Sequence, residues 1–291
     1  LNDYSIGIED VLKEHFDEEN IVYWMAFQIL MGNVDTQNRN VYLYSPLNSD
    51  IWYFIAWDND GCLMRSEYEL KNFSDQGSWE KGNYWGNVLF QRCLKSRSFR
   101  EKLNDAILDL REYLNKDMLT SKIESYKNVL KPYLYSMPDA EYEPLTSEQY
   151  DQIVASLPDE IEKNYKLYLE SLETPMPFYI GVPTIDGNKL KFNWDVSYDL
   201  DAEDITYSVE VARDYLFQDV IYHNTTLTVP ETEMDLPEAG QYFVRIRATN
   251  TSGKTQDAFD YYVTDEGKHY GMKCFYITED STVEEDNYEE G

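Results

Sequence analysis

The sequence is poor in basic residues and contains no long apolar run. It carries 25 Lys and Arg against 55 Asp and Glu, a net charge of −30. Neutralising the phosphates of a nucleic acid requires a basic footprint, so this class of binding is excluded. The same charge argues against docking on an anionic membrane surface. Because no stretch of about 20 apolar residues is present, we predict no membrane span.

Cysteine and histidine are also scarce. The three cysteines (Cys62, Cys93 and Cys274) and the three histidines are scattered and match no zinc or redox spacing, so we interpret the cysteines as small buried hydrophobes. Hydrophobic residues still make up 42% of the 291 positions, enough for about two domains. The chain opens at Leu1 without a basic segment followed by an apolar one, so we expect either a mature product or an excised piece of a longer chain, and the removal of a signal peptide stays open.

The residue pattern changes near position 175. Helical spacing dominates up to about Leu172, and short strands with turns dominate from about Pro183. Pro175 and Pro177 stop the preceding helix. We predict an α+β protein with three segments: a mainly helical region with a small β-hairpin (1–174), an all-β sandwich (177–265), and a final strand with an acidic tail or linker (266–291).

The helical region has one nearly all-apolar helix, Ile21 to Met31, typical of the centre of a domain. Asp17 is its predicted N-cap, and Gly32 is the glycine expected just after its C-terminus. Two strand-like runs follow, 41–44 and 51–57, and the second ends abruptly on Asp58-Asn59-Asp60-Gly61. Capping-box spacing predicts two later helices, one starting at Ser121 and one at Thr146, before a last helix over 158–172.

Acidic and amide residues cluster beside this predicted core in two loops. Asp35 and Asn40 have the spacing D-x-x-x-x-N, and Asp58 ends an apolar strand, where a carboxylate is costly without a partner. Mg²⁺ prefers carboxylate and amide oxygens, so Asn40 and Asp58 are predicted metal ligands, with Asp35 facing a nucleophile. An aspartate that faces the nucleophile, followed along the chain by an asparagine and a second aspartate that bind metal, is the arrangement of phosphoryl-transfer enzymes. The sequence therefore indicates this reaction.

The same residues also fit purely structural roles. Asp35 could cap a turn, Asn40 could tie a loop, and Asp58 with Asp60 could close the hairpin as an Asx-turn. The D-x-x-x-x-N spacing alone arises often by chance, whereas the combination of helix, glycine, D-x-x-x-x-N, hairpin and terminal Asp is much narrower.

Three stretches, FQILMGNVD (27–35), NVYLY (40–44) and WYFIAWDND (52–60), resemble the core of the spore-coat protein H (CotH) kinase family. The resemblance covers roughly residues 1–172. It implies an atypical protein-kinase-like C-lobe that transfers phosphate from ATP to protein Ser/Thr with Mg²⁺ or Mn²⁺. Asp35 would be the catalytic aspartate, Asn40 and Asp58 the nucleotide- and metal-binding residues, and Asp60 a further metal ligand. Family members place a small N-terminal lobe before this region, so we expect a C-lobe without its partner lobe.

The second region also carries a resemblance. The run QYFVRIRATNTSG (241–253) is similar to the penultimate strand and turn of fibronectin type III domains, and Trp194 fits their buried tryptophan. This resemblance implies a fold and says nothing of function.

Three functional interpretations remain. The leading one is a secreted or cell-surface bacterial CotH-like kinase acting on a basic, serine-rich protein substrate that its acidic surface would attract. The alternative is a non-catalytic pseudokinase or scaffold of an extracellular bacterial assembly. A carbohydrate-active enzyme using Asp58 and Asp60 is weaker, because residues two apart on a strand point to opposite faces.

Overall fold

A computed structural model of the protein describes residues 1–33, 36, 40–63 and 87–285. The described residues form two compact units, the first ending at Tyr168 and the second beginning at Leu169. The predicted α+β class, with helices and antiparallel sheets, is confirmed. In the described part of the chain, no helix has the length and apolar content that crossing a bilayer requires. The finer boundaries at 174, 177 and 265 stay predictions.

The first unit contains helices around a central one, with a two-stranded hairpin. Its elements are α1 (Ile8–His15), α2 (Glu18–Met31), β1 (Tyr42–Tyr44), β2 (Tyr53–Ile55), α3 (Val88–Lys95), α4 (Arg97–Tyr113), α5 (Lys116–Leu134), α6 (Ser147–Ser156) and α7 (Glu160–Leu172), the last running into the second unit. Helix α2 is buried on nearly every side, as its apolar sequence predicts. The Asp17 side chain accepts a hydrogen bond from the backbone N–H of Asn20, which confirms the predicted N-cap.

Two predicted elements of this unit differ from the structure. Ser121 does not start a helix, because α5 begins at Lys116 and the side chain of Asn115 caps it by accepting from the Met118 N–H at 3.0 Å. Strand β2 has three residues instead of the seven predicted for 51–57, and both Trp52 and Trp57 are exposed. The capping box at Thr146 is confirmed.

The second unit consists of antiparallel strands. They are β3 (Thr184–Asp186), β4 (Lys189–Asn193), β5 (Ile205–Ala212), β6 (Val220–Leu227), β7 (Glu231–Asp235), β8 (Gly240–Asn250), β9 (Thr255–Asp257), β10 (Tyr261–Thr264), β11 (Gly267–Tyr270), β12 (Met272–Ile277) and β13 (Val283–Glu285). One sheet has the order β3-β4-β7, and a larger one has the order β13-β12-β8-β5-β6, with β9 paired to β8. Strands β10 and β11 form a separate hairpin.

Apolar side chains from the two larger sheets share one core. Leu190 and Phe192 of β4 are buried in the same cluster as Val209 of β5, Ile246 of β8 and Phe275 of β12. The alternation of buried and exposed residues along β4 and β5 explains this arrangement, because every second side chain of a strand points to the same face.

The acidic C-terminal segment is not wholly a solvated tail, contrary to the prediction. Residues 283–285 form β13, which pairs with β12 so that Val283 faces Ile277. Val283 is half-buried against the core and Lys273 forms an ion pair with Glu285, so an apolar and an ionic contact hold this short strand to the sheet. Residues 286–291 lie outside the described residues.

Candidate functional site

The hairpin that precedes the predicted site is fixed to the start of α2. The Asn20 Oδ1 accepts from the Phe54 N–H at 2.6 Å, and the Asn20 Nδ2 donates to the Phe54 carbonyl at 3.1 Å. The Trp52 N–H donates to the His15 carbonyl at 2.8 Å, and the Asp17 N–H donates to the Trp52 carbonyl at 3.1 Å. The backbone of β2 is therefore hydrogen-bonded at two places to the junction between α1 and α2.

The Phe54 side chain anchors the same strand through packing. Its ring lies 4.8 Å from that of Trp24 and 5.7 Å from that of Phe90, centroid to centroid, and 6.1 Å from that of Phe16. Aromatic pairs at such distances contribute beyond the area they bury. The position of β2 is thus set by both the backbone and the side chain of one residue.

The other end of α2 holds the loop that follows β2. The Asn59 Oδ1 accepts from the Gln28 Nε2 at 3.3 Å and from the Asn33 Nδ2 at 3.1 Å. Gln28 and Asn33 are buried, and the Leu63 N–H donates to the Met31 carbonyl at 2.7 Å. These three carboxamides, Gln28, Asn33 and Asn59, form what we term the amide clasp. It ties the segment after β2 to the point where the loop carrying Asp35 begins.

Gly32 turns the chain out of α2, as predicted. Its φ of 60° is left-handed, and the Asn33 N–H bonds to the Gln28 carbonyl, as in a Schellman motif. The Asn164 Nδ2 of α7 donates to the Leu30 carbonyl at 2.9 Å, and a Cβ at position 32 would lie 2.6 Å from that nitrogen. Both the backbone angle and the close approach of Asn164 require glycine here.

The predicted metal ligands Asn40 and Asp58 lie at the same end of the hairpin. Tyr42 pairs with Ile55 as the last pair of the ladder, and the Tyr42 and Trp57 rings lie 5.1 Å apart beyond it. Asn40 precedes this end and Asp58 follows it. Both have left-handed backbones, with φ of 53° and 50°, a conformation that Asn and Asp adopt more readily than other non-glycine residues.

Asp58 is exposed, so the prediction that burial makes its carboxylate costly was wrong. The strand before Asp58 ends at Ile55, and residues 55–58 are all exposed. The placement of Asn40 and Asp58 at the same end of the hairpin, and not desolvation, makes this end a candidate site.

Asp60 is exposed in the turn that follows, close to Cys62. Burial, and secondarily the negative charge of Asp60, raise the pKa of the Cys62 thiol to about 12. Asp35 lies outside the described residues, so its place relative to Asn40 and Asp58 stays a prediction.

The donor set suits a hard cation that keeps part of its water. Asn40, Asp58 and Asp60 offer one amide and two carboxylates, and Mg²⁺ is typically held by one or two carboxylates together with waters and substrate phosphates. Within the described residues, no group of three or more His, Cys, Asp or Glu side chains is placed to hold a metal alone. One amide and two carboxylates fit a metal that also binds waters and substrate phosphates.

The amide clasp was not foreseen from the sequence. Its one available signal was Gln28, the single polar residue in the apolar run from Ile21 to Met31. A polar side chain that a buried helix retains there indicates a hydrogen-bonding partner.

Comparison with known proteins identifies a family. A family model described as CotH kinase protein matches residues 1–168. No curated protein sequence matches the chain. Among solved structures, the twitchin kinase region of C. elegans is 16% identical over 33% of this chain and 20% of its own, with a TM-score of 0.25.

Two structures of the surface layer protein SbsC are also similar. Its domains 1–6 are 12% identical, and its N-terminal part, from a bacterial S-layer, is 13% identical, each over 94% of this chain with a TM-score of 0.17. The chain spans 38% and 65% of their lengths.

Proposed function

The chain belongs to the CotH kinase protein family, and from this premise we propose that its first unit carries the metal- and phosphate-binding part of an atypical protein kinase. The proposed reaction moves the γ-phosphate of ATP to a serine or threonine hydroxyl of a protein. Membership of the family shows a kinase-like protein, and the transfer of phosphate to a protein hydroxyl is what we propose.

The observation that carries the proposal is the placement of Asn40 and Asp58 at one end of the hairpin. In the proposed site, the Asn40 amide oxygen and the Asp58 carboxylate hold Mg²⁺ or Mn²⁺, and Asp60 offers a further oxygen. When bound, the cation supplies positive charge against the phosphates in a transition state that has little covalent help from the protein. Asn59, fixed by the amide clasp, holds the backbone next to Asp58 in place.

Asp35 is the proposed group that accepts or orients the proton of the attacking hydroxyl. Its support is the D-x-x-x-x-N spacing to Asn40 and the start of its loop at Asn33. Because Asn33 bonds to Asn59, the loop with Asp35 and the loop with Asp58 share an anchor. A shared anchor favours a constant distance between catalytic groups, which phosphoryl transfer requires.

The remaining proposals concern setting and substrate. A net charge of −30 favours a basic, serine-rich protein substrate through electrostatic attraction. A secreted or cell-surface location is a further proposal, which the composition supports.

We also propose that the second unit is fibronectin type III-like. Two observations support this fold. One sheet, β3-β4-β7, packs against a second sheet in which β12, β8, β5 and β6 are neighbours, and Trp194 is buried against Tyr207.

Calorimetric titration with Mg-ATP and Mn-ATP tests the site. We expect metal-dependent binding by the natural chain, at least tenfold weaker binding by Asp58→Asn, and unchanged binding by Asp50→Asn, a matched loss of one exposed carboxylate in the loop of the same hairpin. Absence of binding by the natural chain, or equal binding by all three proteins, would overturn the proposed nucleotide site.

Transfer is tested separately from binding. With labelled ATP and a basic, serine-rich peptide, we expect phosphate incorporation by the natural chain and its loss in Asp35→Asn, with ATP binding retained. Binding of Mg-ATP without any transfer would instead establish the alternative function, a non-catalytic platform.

A further inference from the structure

The outer face of α5 carries an exposed apolar stripe. Its residues are Tyr126, Val129, Leu130 and Tyr133, and Met137, a further exposed apolar residue, follows the end of the helix. Their exposed fractions lie between 51% and 70%. Single exposed apolar residues are ordinary, but a contiguous set on one helix face indicates a surface that binds something.

Helical geometry separates this stripe from the face that packs inside the unit. At about 100° per residue, the four side chains on the helix fall within about 100° of arc, the width of an ordinary buried helix face. The opposite side holds Lys127, Lys131 and Tyr135. Both lysines form ion pairs with Asp151 of α6, and the Tyr135 ring contacts Tyr150 at 5.9 Å. In its later turns, helix α5 thus has an exposed apolar face opposite the one that contacts α6.

The stripe continues a face that is buried nearer the start of the helix. Leu119, two turns before Tyr126, lies on the same side and is 7% exposed. The first turns of α5 therefore bury this face against their own unit, and the later turns leave it uncovered.

Charge around the stripe is arranged with opposite signs at its two ends. Lys122 lies at the N-terminal end, and Asp139 and Glu141 lie in the 3₁₀ turn after the C-terminal end. All three are exposed and, among the described residues, none forms an ion pair. An antiparallel copy of the same surface would bring each lysine to the acids of the other copy, whereas a parallel copy would bring like charges together.

We propose that two copies of this chain associate antiparallel through the outer face of α5, with Tyr126 of each copy facing Tyr133 of the other. The pairing is isologous, so each copy contributes the same stripe and its contacts occur twice. A single helix face is at the low end of interface sizes, and we expect a dissociation constant on the order of micromolar. The inference does not depend on the proposed kinase function.

Sedimentation equilibrium at 150 mM salt tests the pairing. The natural chain of 34.4 kDa should show a second species at 2 × 34.4 = 68.8 kDa. Lys122→Glu alone, and the double variant Asp139→Lys/Glu141→Lys alone, should each be monomeric, because each places like charges at both ends of the pair. An equimolar mixture of the two should recover the 68.8 kDa species, because every lysine then meets an acid.

The control is Lys254→Glu, which makes the same charge change at an exposed lysine outside α5 that also has no ion pair among the described residues. It should dimerise as the natural chain does, and circular dichroism should show that all variants are folded. A natural chain that stays monomeric up to about 100 µM, or a mixture that stays monomeric, would overturn the proposal.

Discussion

The Asn20 carboxamide pairs with the backbone of Phe54 as a neighbouring strand would. Its oxygen accepts from the Phe54 N–H and its nitrogen donates to the Phe54 carbonyl, at 2.6 and 3.1 Å. Because Phe54 lies four residues before Asp58, one side chain in the first turn of α2 fixes the approach of the chain to the candidate site.

Removing this pair should destabilise the first unit. Asn20→Ala leaves a part-buried N–H and carbonyl of Phe54 without a partner, so we expect a loss of about 2–4 kcal/mol in the free energy of unfolding. Urea unfolding followed by tryptophan fluorescence measures it. Asn48→Ala, at an exposed position in the hairpin loop, should change the same quantity by less than about 0.5 kcal/mol. Equal effects of the two substitutions would mean that Asn20 does not hold the strand.

Because Asn40 has a left-handed backbone, two substitutions there can distinguish an effect on stability from an effect on Mg-ATP binding. Asn40→Gly should leave the unfolding free energy within about 0.5 kcal/mol of the natural value, because φ near 53° costs glycine nothing. Asn40→Val should lose about 1–2 kcal/mol, because a β-branched side chain clashes in this conformation. Both variants lose the amide oxygen, so both should bind Mg-ATP more weakly. Natural affinity in Asn40→Gly would exclude Asn40 as a ligand.

The Cys62 thiol should react slowly. With its pKa raised to about 12 by burial and by Asp60, only about one molecule in 10⁴ carries a thiolate at pH 8. Alkylation by iodoacetamide, located by peptide mass spectrometry, should therefore accelerate about tenfold per pH unit from pH 8 to 11 and become fast in urea. A rate that levels off near pH 9, as for an ordinary thiol, would contradict this environment.

The Asp260 carboxyl should make the second unit less stable as pH rises. Burial raises its pKa, although it accepts from the Ile180 N–H at 2.7 Å and lies 3.3 Å from the Lys273 ammonium, which also pairs with Glu285. A raised carboxyl pKa means that the folded state holds the proton more tightly than the unfolded state. This contribution to stability is complete below the unfolded pKa of about 3.9 and is lost as pH rises through the folded pKa.

Comparison with Asp260→Asn, which stays neutral, isolates the effect. The unfolding free energy of the natural chain minus that of Asp260→Asn should fall between pH 4 and pH 7. The control Asp235→Asn should show no such fall over this range, because the Lys189 ammonium at 2.8 Å lowers the pKa of the Asp235 carboxyl, so its contribution to stability is lost only as pH falls below about 4. An equal fall for the two substitutions between pH 4 and pH 7 would contradict the burial argument.

Local sequence patterns predicted those parts of the fold that local physics controls. The apolar run from Ile21 to Met31, the cap at Asp17 and the turn at Gly32 are all confirmed. Strand β5 has the predicted bounds, because alternating apolar residues face one core. The family resemblance is confirmed over residues 1–168.

Contacts between distant residues account for what the sequence did not show. Neither the pairing of Asn20 with Phe54 nor the amide clasp has a local signature, because each partner lies 26 or more residues away. At Ser121, capping-box spacing was present inside a helix that Asn115 had already capped. Apolar residues from Trp52 to Trp57 predicted a buried strand, and packing placed only Phe54 in the core.

The contact between Asn164 and the Leu30 carbonyl spans 134 residues of chain. A ribosome synthesises α2 early and Asn164 long afterwards, so the last turn of α2 waits for its buried partner until most of the first unit has been made. The loops that leave this turn, including the one with Asp35, therefore acquire their final anchor late in synthesis. Assembly of the candidate site is in this way coupled to completion of the unit that contains it.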